Sequence, residues 1–209
     1  MAPRAYNNET RLQQQSELKA RIAEAAAALH KTQGALDTSW AQIAAEAGVS
    51  VPTVYKHFPT LDELVGACTA HVAALAPEFP AERILEAEGL VAAVEALVEA
   101  VDAAHAHYAP WLVWREDNRI PALADMFAGQ RAQMLSLCEA LLARHLGEGE
   151  HRATAAWWEA LLSFDVRDRI VATHRQSRAA YRRTVASLLL AVTGPQRASE
   201  PSPRPNRKP

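Results

Sequence analysis

The spacing of apolar residues constrains the fold of this chain more than any other feature of its sequence. From about residue 18 to residue 192, apolar side chains recur at steps of three and four residues, the period of an amphipathic helix. The alternation of apolar and polar residues that is typical of half-buried strands is absent. Helix-favouring Ala, Leu, Glu and Arg dominate, and only 8 of the 209 residues are glycine. The sequence therefore predicts an all-α fold.

Interruptions of this periodicity divide the chain into segments. Gly34, Gly48 and Pro59 interrupt it early, so we expect four helices before residue 76, followed by longer helices from residue 81. We expect a further interruption at Pro110. The predicted segments are a flexible arm at 1–13, a compact four-helix domain at 14–76, a second helical domain at 81–193 and a disordered tail at 195–209. The tail is basic and rich in proline, a composition that cannot bury a core.

The most informative stretch covers residues 40–59 and reads WAQIAAEAGVSVPTVYKHFP. A helix-turn-helix packs two short helices through a tight turn. Close packing favours a small residue, here Ala44, and the turn favours a residue that tolerates positive φ, here Gly48. Apolar residues at Ile43, Val54 and elsewhere in the stretch would fill the space between the helices. These features together predict a helix-turn-helix at residues 40–59, within the domain at 14–76.

The third predicted helix begins after Ser50 and presents short polar, aromatic and cationic groups to solvent. The outward residues are Ser50, Val51, Thr53, Tyr55, Lys56 and His57. Such groups reach phosphates and base edges in a DNA groove. The formal net charge of −2 excludes a generally basic nucleic-acid coat, but site-specific DNA binding needs only a local basic face.

Residues 15–75 resemble the DNA-binding domain of the tetracycline-repressor (TetR) family. The resemblance is most detailed in IAAEAGVSVPTVYKHFPTLDELVGA, where Tyr55 and Phe58 flank a Lys-His pair and Pro59 follows. The resemblance implies DNA contacts by Thr53, Tyr55, Lys56 and His57, and phosphate contacts by Thr38 and Ser39. Trp40 departs from the family pattern, because an aliphatic residue usually stands there.

The second domain resembles the family only in the number and order of its helices, and this layout implies a ligand pocket. Pockets are mostly apolar and aromatic with a few placed polar groups, and four of the five tryptophans lie after residue 80. The predicted lining residues are His105, Tyr108, Trp111, Trp114, Phe127, Met134, Trp157 and Phe164. Each of them has the alternative of ordinary core packing. The charged run at residues 115–119 is interpreted as a solvated connection, with a ligand mouth as the alternative.

The layout also implies a homodimer, because the last two helices of each subunit form a four-helix bundle in family members. The predicted dimer contacts are Tyr181, Val185, Leu188, Leu189 and Val192. Alternatively, this stripe faces only the core of its own domain.

The resemblance implies a homodimeric repressor that leaves a near-palindromic DNA operator when a small apolar or aromatic ligand binds. A DNA-binding regulator without an effector is one alternative, and an all-helical enzyme is another. No phosphate loop, nucleophile elbow or metal-ligand spacing is visible, so no catalytic residue, cofactor or metal is predicted. Cys68 and Cys138 are interpreted as buried thiols. We expect a cytoplasmic protein, since no signal peptide or membrane-length apolar run is present.

Overall fold

The computed structural model describes residues 4–194, and their side chains from residue 9 onward. The helices are α1 (Arg4–Gln33), α2 (Trp40–Glu46), α3 (Val51–His57), α4 (Leu61–Ala74), α5 (Ala81–Leu85), α6 (Leu90–Leu112), α7 (Pro121–Leu146), α8 (Arg152–Leu161), α9 (Phe164–Asp168), a π-helix (Arg169–Thr173) and α10 (Arg178–Thr193). No strand occurs within the described residues. The predicted all-α fold is confirmed.

Two helix boundaries differ from the prediction. α1 begins at Arg4 rather than near residue 14, so most of the predicted arm is helical. Extending a formed helix adds one hydrogen bond per residue, and residues 4–13 contain no glycine or proline to stop it. α6 continues through Pro110 to Leu112, where we expected a break. Proline lacks the N–H that would bond the Ala106 carbonyl oxygen, and the helix ends two residues later. The tail at 195–209 lies outside the described residues.

Backbone contacts divide the chain into two compact units. Within the described residues, the first unit joins residues 4–80 to residues 100–134, and the second joins residues 81–99 to residues 135–194. The later part of α6, the α6–α7 connection and the first half of α7 therefore belong to the same unit as α1–α4. The sequence pattern divides the chain into domains at 14–76 and 81–193, and that division stays a prediction.

The core of the first unit lies among α1, α2, α3 and α4. Ile22, Ile43, Val54 and Leu64, one from each helix, are almost completely buried in one cluster. The cluster also contains the small residues Ala26, Ala44 and Ala47, which allow the helices to approach closely. The four short elements thus share one apolar centre.

The core of the second unit depends on larger side chains. Trp158 of α8 is fully buried, and its indole Nε1 donates a hydrogen bond of 3.0 Å to the carbonyl oxygen of Leu189 in α10. Leu141 and Leu142 of α7 are also fully buried. This hydrogen bond allows a large polar-tipped side chain to be buried without an unpaired N–H group.

None of the helices described for residues 4–194 is both long and apolar enough to span a membrane.

Candidate nucleic-acid interface

Each of the two short helices of the motif begins with a serine cap. Ser39 Oγ accepts the Gln42 N–H at 3.2 Å, and Gln42 Oε1 in turn accepts the Ser39 N–H at 2.8 Å. Ser50 Oγ accepts the Thr53 N–H at 3.3 Å and lies 2.7 Å from the Thr53 hydroxyl. These bonds satisfy N–H groups that have no partner within their helices, and they fix where α2 and α3 begin.

The turn between α2 and α3 depends on Gly48. Its φ is +64°, in the left-handed region that favours glycine. The next N–H, of Val49, returns to the Ala44 carbonyl oxygen at 2.9 Å. The chain therefore reverses direction close to the small side chain of Ala44, as the sequence pattern predicts.

α3 has one buried edge and one exposed edge. Val54 and Phe58 are buried in the core of the first unit. Ser50, Tyr55 and Lys56 are exposed, and Tyr55 retains 46% of its accessible surface. Val51, Thr53 and His57 are half-buried on the same short helix. The exposed edge contains the predicted DNA-contacting side chains, whose contacts with DNA stay a prediction.

Trp40 packs against this edge. Its ring stacks on the Tyr55 ring, with centroids 4.7 Å apart and planes 28° apart. The departure from the family pattern thus gives Tyr55 an aromatic neighbour. Stacking of this kind restricts the rotamers of both rings.

A second lysine, Lys19 of α1, lies with Lys56 near the His57 ring. Burial, followed by the positive charges of Lys19 and Lys56, lowers the pKa of His57. The Lys19 ammonium also lies 5.9 Å from the centroid of the Phe58 ring. Sequence reasoning missed Lys19, because no local pattern connects α1 with the end of α3.

Thr38 and Ser39 lie at the start of α2, but their hydroxyl groups already have partners. The Thr38 hydroxyl donates to the Gly34 carbonyl oxygen at 2.6 Å and accepts from Gln33 Nε2 at 3.1 Å. The Ser39 hydroxyl contacts Gln42 Oε1 at 2.8 Å. Both side chains therefore stabilise the turn and the helix start, and their phosphate contacts stay a prediction.

Several of the predicted pocket residues lie in the first unit and pack on α1. Trp111 Nε1 donates a hydrogen bond to the Ala27 carbonyl oxygen at 2.8 Å, and Trp114 Nε1 contacts that of Lys31 at 3.4 Å. Tyr108 and Trp111 also pack against the buried cluster of α1–α4. His105, Phe127 and Met134 are half-buried in this unit.

The other two predicted pocket residues lie in the second unit. Phe164 begins α9 and is half-buried, whereas Trp157 on α8 retains 64% of its accessible surface. The adjacent Trp158 is the buried one of the pair. A shared pocket formed by all these residues stays a prediction.

The predicted dimer residues on α10 divide into two groups. Tyr181, Val185 and Leu189 are buried within the chain. Leu188 and Val192 are exposed and apolar. The buried residues fit the alternative of core packing within the chain, and the exposed residues fit the predicted dimer contacts. The burial pattern is compatible with both roles.

The thiols of Cys68 and Cys138 are buried and form no disulfide. Burial raises the pKa of Cys68 to about 11 and that of Cys138 to about 12. The thiolate forms are therefore scarce at neutral pH. Over residues 4–194, no group of three or more His, Cys, Asp and Glu side chains is arranged to hold a metal ion.

Comparison with known proteins agrees with this geometry. Residues 22–68 match the model of the tetR family of bacterial regulatory proteins. No curated protein matches the sequence of the chain.

Solved structures match the fold over most of the chain. A putative TetR-family transcriptional regulator from Mesorhizobium loti has a TM-score of 0.63 at 21% identity, covering 85% of this chain and 96% of that one. A TetR-family regulator from Streptomyces coelicolor has a TM-score of 0.60 at 20% identity, with coverages of 85% and 95%. A putative transcriptional regulator from Saccharomonospora viridis, solved in complex with choline, has a TM-score of 0.61 at 19% identity, with coverages of 84% and 96%.

The family match covers the capped helices, the Gly48 turn and the exposed edge of α3. The similarity of the fold to solved structures includes the helices that follow. Residues 22–68 thus form a helix-turn-helix domain that matches the tetR family model, and the fold resembles that of TetR-family regulators over most of the chain.

Proposed function

We propose that the chain is a homodimeric repressor that reads a near-palindromic duplex with α3 and leaves it when a small molecule binds. The observation that carries the DNA-binding role is the exposed edge of α3. Tyr55 and Lys56 project from it, while Val54 and Phe58 anchor the opposite edge in the core. A recognition helix needs this combination of a fixed buried edge and a free polar edge.

The charges near α3 support a role in phosphate binding. Lys19, Lys56 and His57 come from two helices and are close enough for the lysines to lower the pKa of His57. The two lysines attract phosphates although the net charge of the chain is −2, and the neutral His57 ring adds a hydrogen-bonding group beside them. Two copies of α3 in one dimer would reach successive major grooves, about 34 Å apart.

DNA binding is tested with duplexes recovered from a random-sequence library by the purified full chain. We expect a sequence with two inverted half-sites, bound with an affinity that falls by about 0.9 log units per log unit of salt for each phosphate contact. The double substitution Tyr55→Ala with Lys56→Ala should abolish specific binding. Arg144→Ala, an exposed cation of the second unit, is the matched control and should bind normally. Recovery of no preferred sequence, with binding insensitive to salt, would reject the proposal.

The contribution of Lys19 is tested separately. If its ammonium contacts phosphate, Lys19→Ala should reduce the slope of log affinity against log salt by about 0.9 per subunit contact. The Lys19→Ala variant should prefer the same DNA sequences as the parent, because a phosphate contact carries no sequence information. An unchanged slope would remove Lys19 from the interface.

Dimerisation is proposed through Leu188 and Val192 of α10, with Trp157 of α8 as a further exposed apolar side chain. Replacing Leu188 and Val192 by Asp should yield monomers in sedimentation velocity, because charges would be buried without partners. Val91→Asp, which alters an exposed valine of α6 in the same unit, is the control. A dimer unaffected by the α10 substitutions would place the interface elsewhere.

Ligand control is proposed from the aromatic content of the chain and from the choline complex of the Saccharomonospora viridis relative. Aromatic faces attract quaternary ammonium groups such as that of choline. Choline and a panel of small apolar and aromatic compounds would be screened by thermal shift and then by release of the selected duplex. A true ligand raises the melting temperature of the free protein and weakens DNA binding.

A regulator without an effector is the second candidate, and one observation favours it. Trp111 and Trp114, two of the predicted pocket residues, donate hydrogen bonds to backbone carbonyl groups of α1. Their indoles thus have a packing role that requires no ligand. A screen in which no compound both stabilises the protein and releases the duplex would support this candidate.

A further inference from the structure

Residues 107–116, here called the clamp segment, contact α1, α4 and the turn after α1 through side chains that bind backbone atoms. His107 Nε2 lies 3.0 Å from the Val72 carbonyl oxygen of α4. Trp111 and Trp114 contact the carbonyl groups of Ala27 and Lys31, one helical turn apart on α1. The clamp segment therefore follows α1 towards its C-terminal end.

Glu116 makes the last contact of this series. Its Oε2 accepts the Ala35 N–H at 2.8 Å, and its Oε1 accepts the Leu36 N–H at 2.8 Å. These two amides lie in the turn between the end of α1 and the start of α2, outside any helix. A carboxylate that accepts two N–H groups holds both in a single arrangement, and such charge-assisted bonds are the strong ones.

The neighbouring residues are adapted to this carboxylate. A Cβ atom added to Gly34 would lie 2.7 Å from Glu116 Oε1, and the φ of Gly34 is +81°. Glycine therefore meets both the backbone conformation and the close approach of the carboxylate. On the other side, Arg115 has a φ of +54°, which L side chains rarely adopt. An unfavourable conformation persists where surrounding contacts fix it.

The turn held by Glu116 leads directly to the start of α2. The Thr38 hydroxyl is bound to the Gly34 carbonyl oxygen, and Ser39 caps the helix. We propose that Glu116 is a positioning residue for DNA binding: it fixes the α1–α2 turn, and through that turn the helix-turn-helix, without contacting DNA. The DNA-binding part of this proposal rests on the proposed function above.

Charge alone gives the opposite expectation. A carboxylate near a DNA-binding surface repels phosphate, so removing it should strengthen binding if the charge acted only at a distance. Loss of the two hydrogen bonds should instead weaken binding, because the turn becomes free to move. The sign of the change in affinity therefore separates the two effects.

The experiment compares Glu116→Ala, Glu116→Gln and Asp117→Ala in the full chain. Asp117 is the matched control, because it is adjacent, also half-buried and of the same charge. Amide hydrogen exchange followed by NMR measures the turn directly. We expect exchange at Ala35 and Leu36 to accelerate about tenfold or more in Glu116→Ala, less in Glu116→Gln, and not in Asp117→Ala.

Affinity for the selected duplex is the second measurement. Glu116→Ala should bind roughly 2- to 30-fold more weakly. Glu116→Gln, which retains one acceptor oxygen, should recover part of this loss, and Asp117→Ala should bind as well as the parent or better. Unchanged exchange at Ala35 and Leu36, or tighter DNA binding by Glu116→Ala, would overturn the proposal.

The two readouts also separate this proposal from the one on which it rests. If the parent protein selects no duplex, the proposed function fails, whereas the exchange at Ala35 and Leu36 still reports whether Glu116 holds the turn. If the parent binds DNA and exchange accelerates without loss of affinity, only the positioning role fails. Glu116→Gln covers the case in which the alanine variant is too unstable to study.

Discussion

The helix-turn-helix of the first unit and the α8–α10 pair of the second unit are stabilised by different means. α2 and α3 have seven residues each, and every helix start in the motif has a hydroxyl cap. Short helices are marginal alone, so caps and a defined turn decide where they form. The α8–α10 pair depends instead on burial of a few large side chains, chiefly Trp158 and Tyr181. Capped helices and their turn can be predicted from residues that are neighbours in the sequence. Which large side chains are buried can be seen only in the folded molecule.

The largest expected effect tests the second half of this comparison with adjacent tryptophans. Trp158→Ala should lower the free energy of unfolding by about 3–5 kcal/mol, because it leaves a cavity and removes the hydrogen bond to Leu189. Trp157→Ala should change it by less than about 0.5 kcal/mol, because Trp157 is largely exposed. Urea denaturation monitored by circular dichroism measures both. Similar costs for the two variants would contradict the burial assigned to α8.

An acid titration tests the core of the first unit. His30 is buried with its Nδ1 3.4 Å from Cys68 Sγ. Burial lowers its pKa from 6.5 to about 4, although the charge of Glu116 opposes the shift. Between these pH values the unfolded chain binds a proton that the folded chain does not. The free energy of unfolding should therefore fall as pH drops from 6.5 towards 4, by roughly 3 kcal/mol in total from this group.

The contribution of His30 is isolated by substitution. His30→Leu should lose this part of the pH dependence, whereas His174→Leu, which alters an exposed histidine, should retain it. Urea midpoints measured at several pH values provide the comparison. Parallel pH profiles for the parent and His30→Leu would show that the buried imidazole does not govern acid unfolding.

The smallest expected effect compares one cap in each unit. Ser50 caps α3 and Ser177 caps α10, each by accepting an N–H group three residues later. Replacing either by Ala should cost about 1 kcal/mol in the free energy of unfolding. Only Ser50→Ala should also weaken binding to the selected duplex, since it alters the start of α3. A similar loss of DNA affinity in Ser177→Ala would contradict this difference between the units.

Local sequence rules were sufficient for the helix-turn-helix. Capping hydroxyls, a small residue and a turn glycine lie at fixed distances along the chain, and the structure has Ser39, Ser50 and Gly48 in these roles. Lys19 was missed because its neighbours at the end of α3 are close only in three dimensions. The DNA contacts themselves stay a prediction.

Tertiary contacts explain what the sequence could not provide. Trp157 and Trp158 are adjacent and chemically identical, so only packing distinguishes the exposed ring from the buried one. Trp111 and Trp114 were expected in a pocket, but their bonds to α1 join residues more than 80 positions apart. Glu116 belongs to a run interpreted as a solvated connection, and it binds the α1–α2 turn instead.

The discontinuity of the first unit has a practical consequence for protein engineering. A fragment ending at Pro80 would contain the complete family motif but would lack residues 100–134. Its α1 would lose the indole donors at Ala27 and Lys31, and the following turn would lose its carboxylate. Chimeras that join this helix-turn-helix domain to another protein should therefore include both stretches.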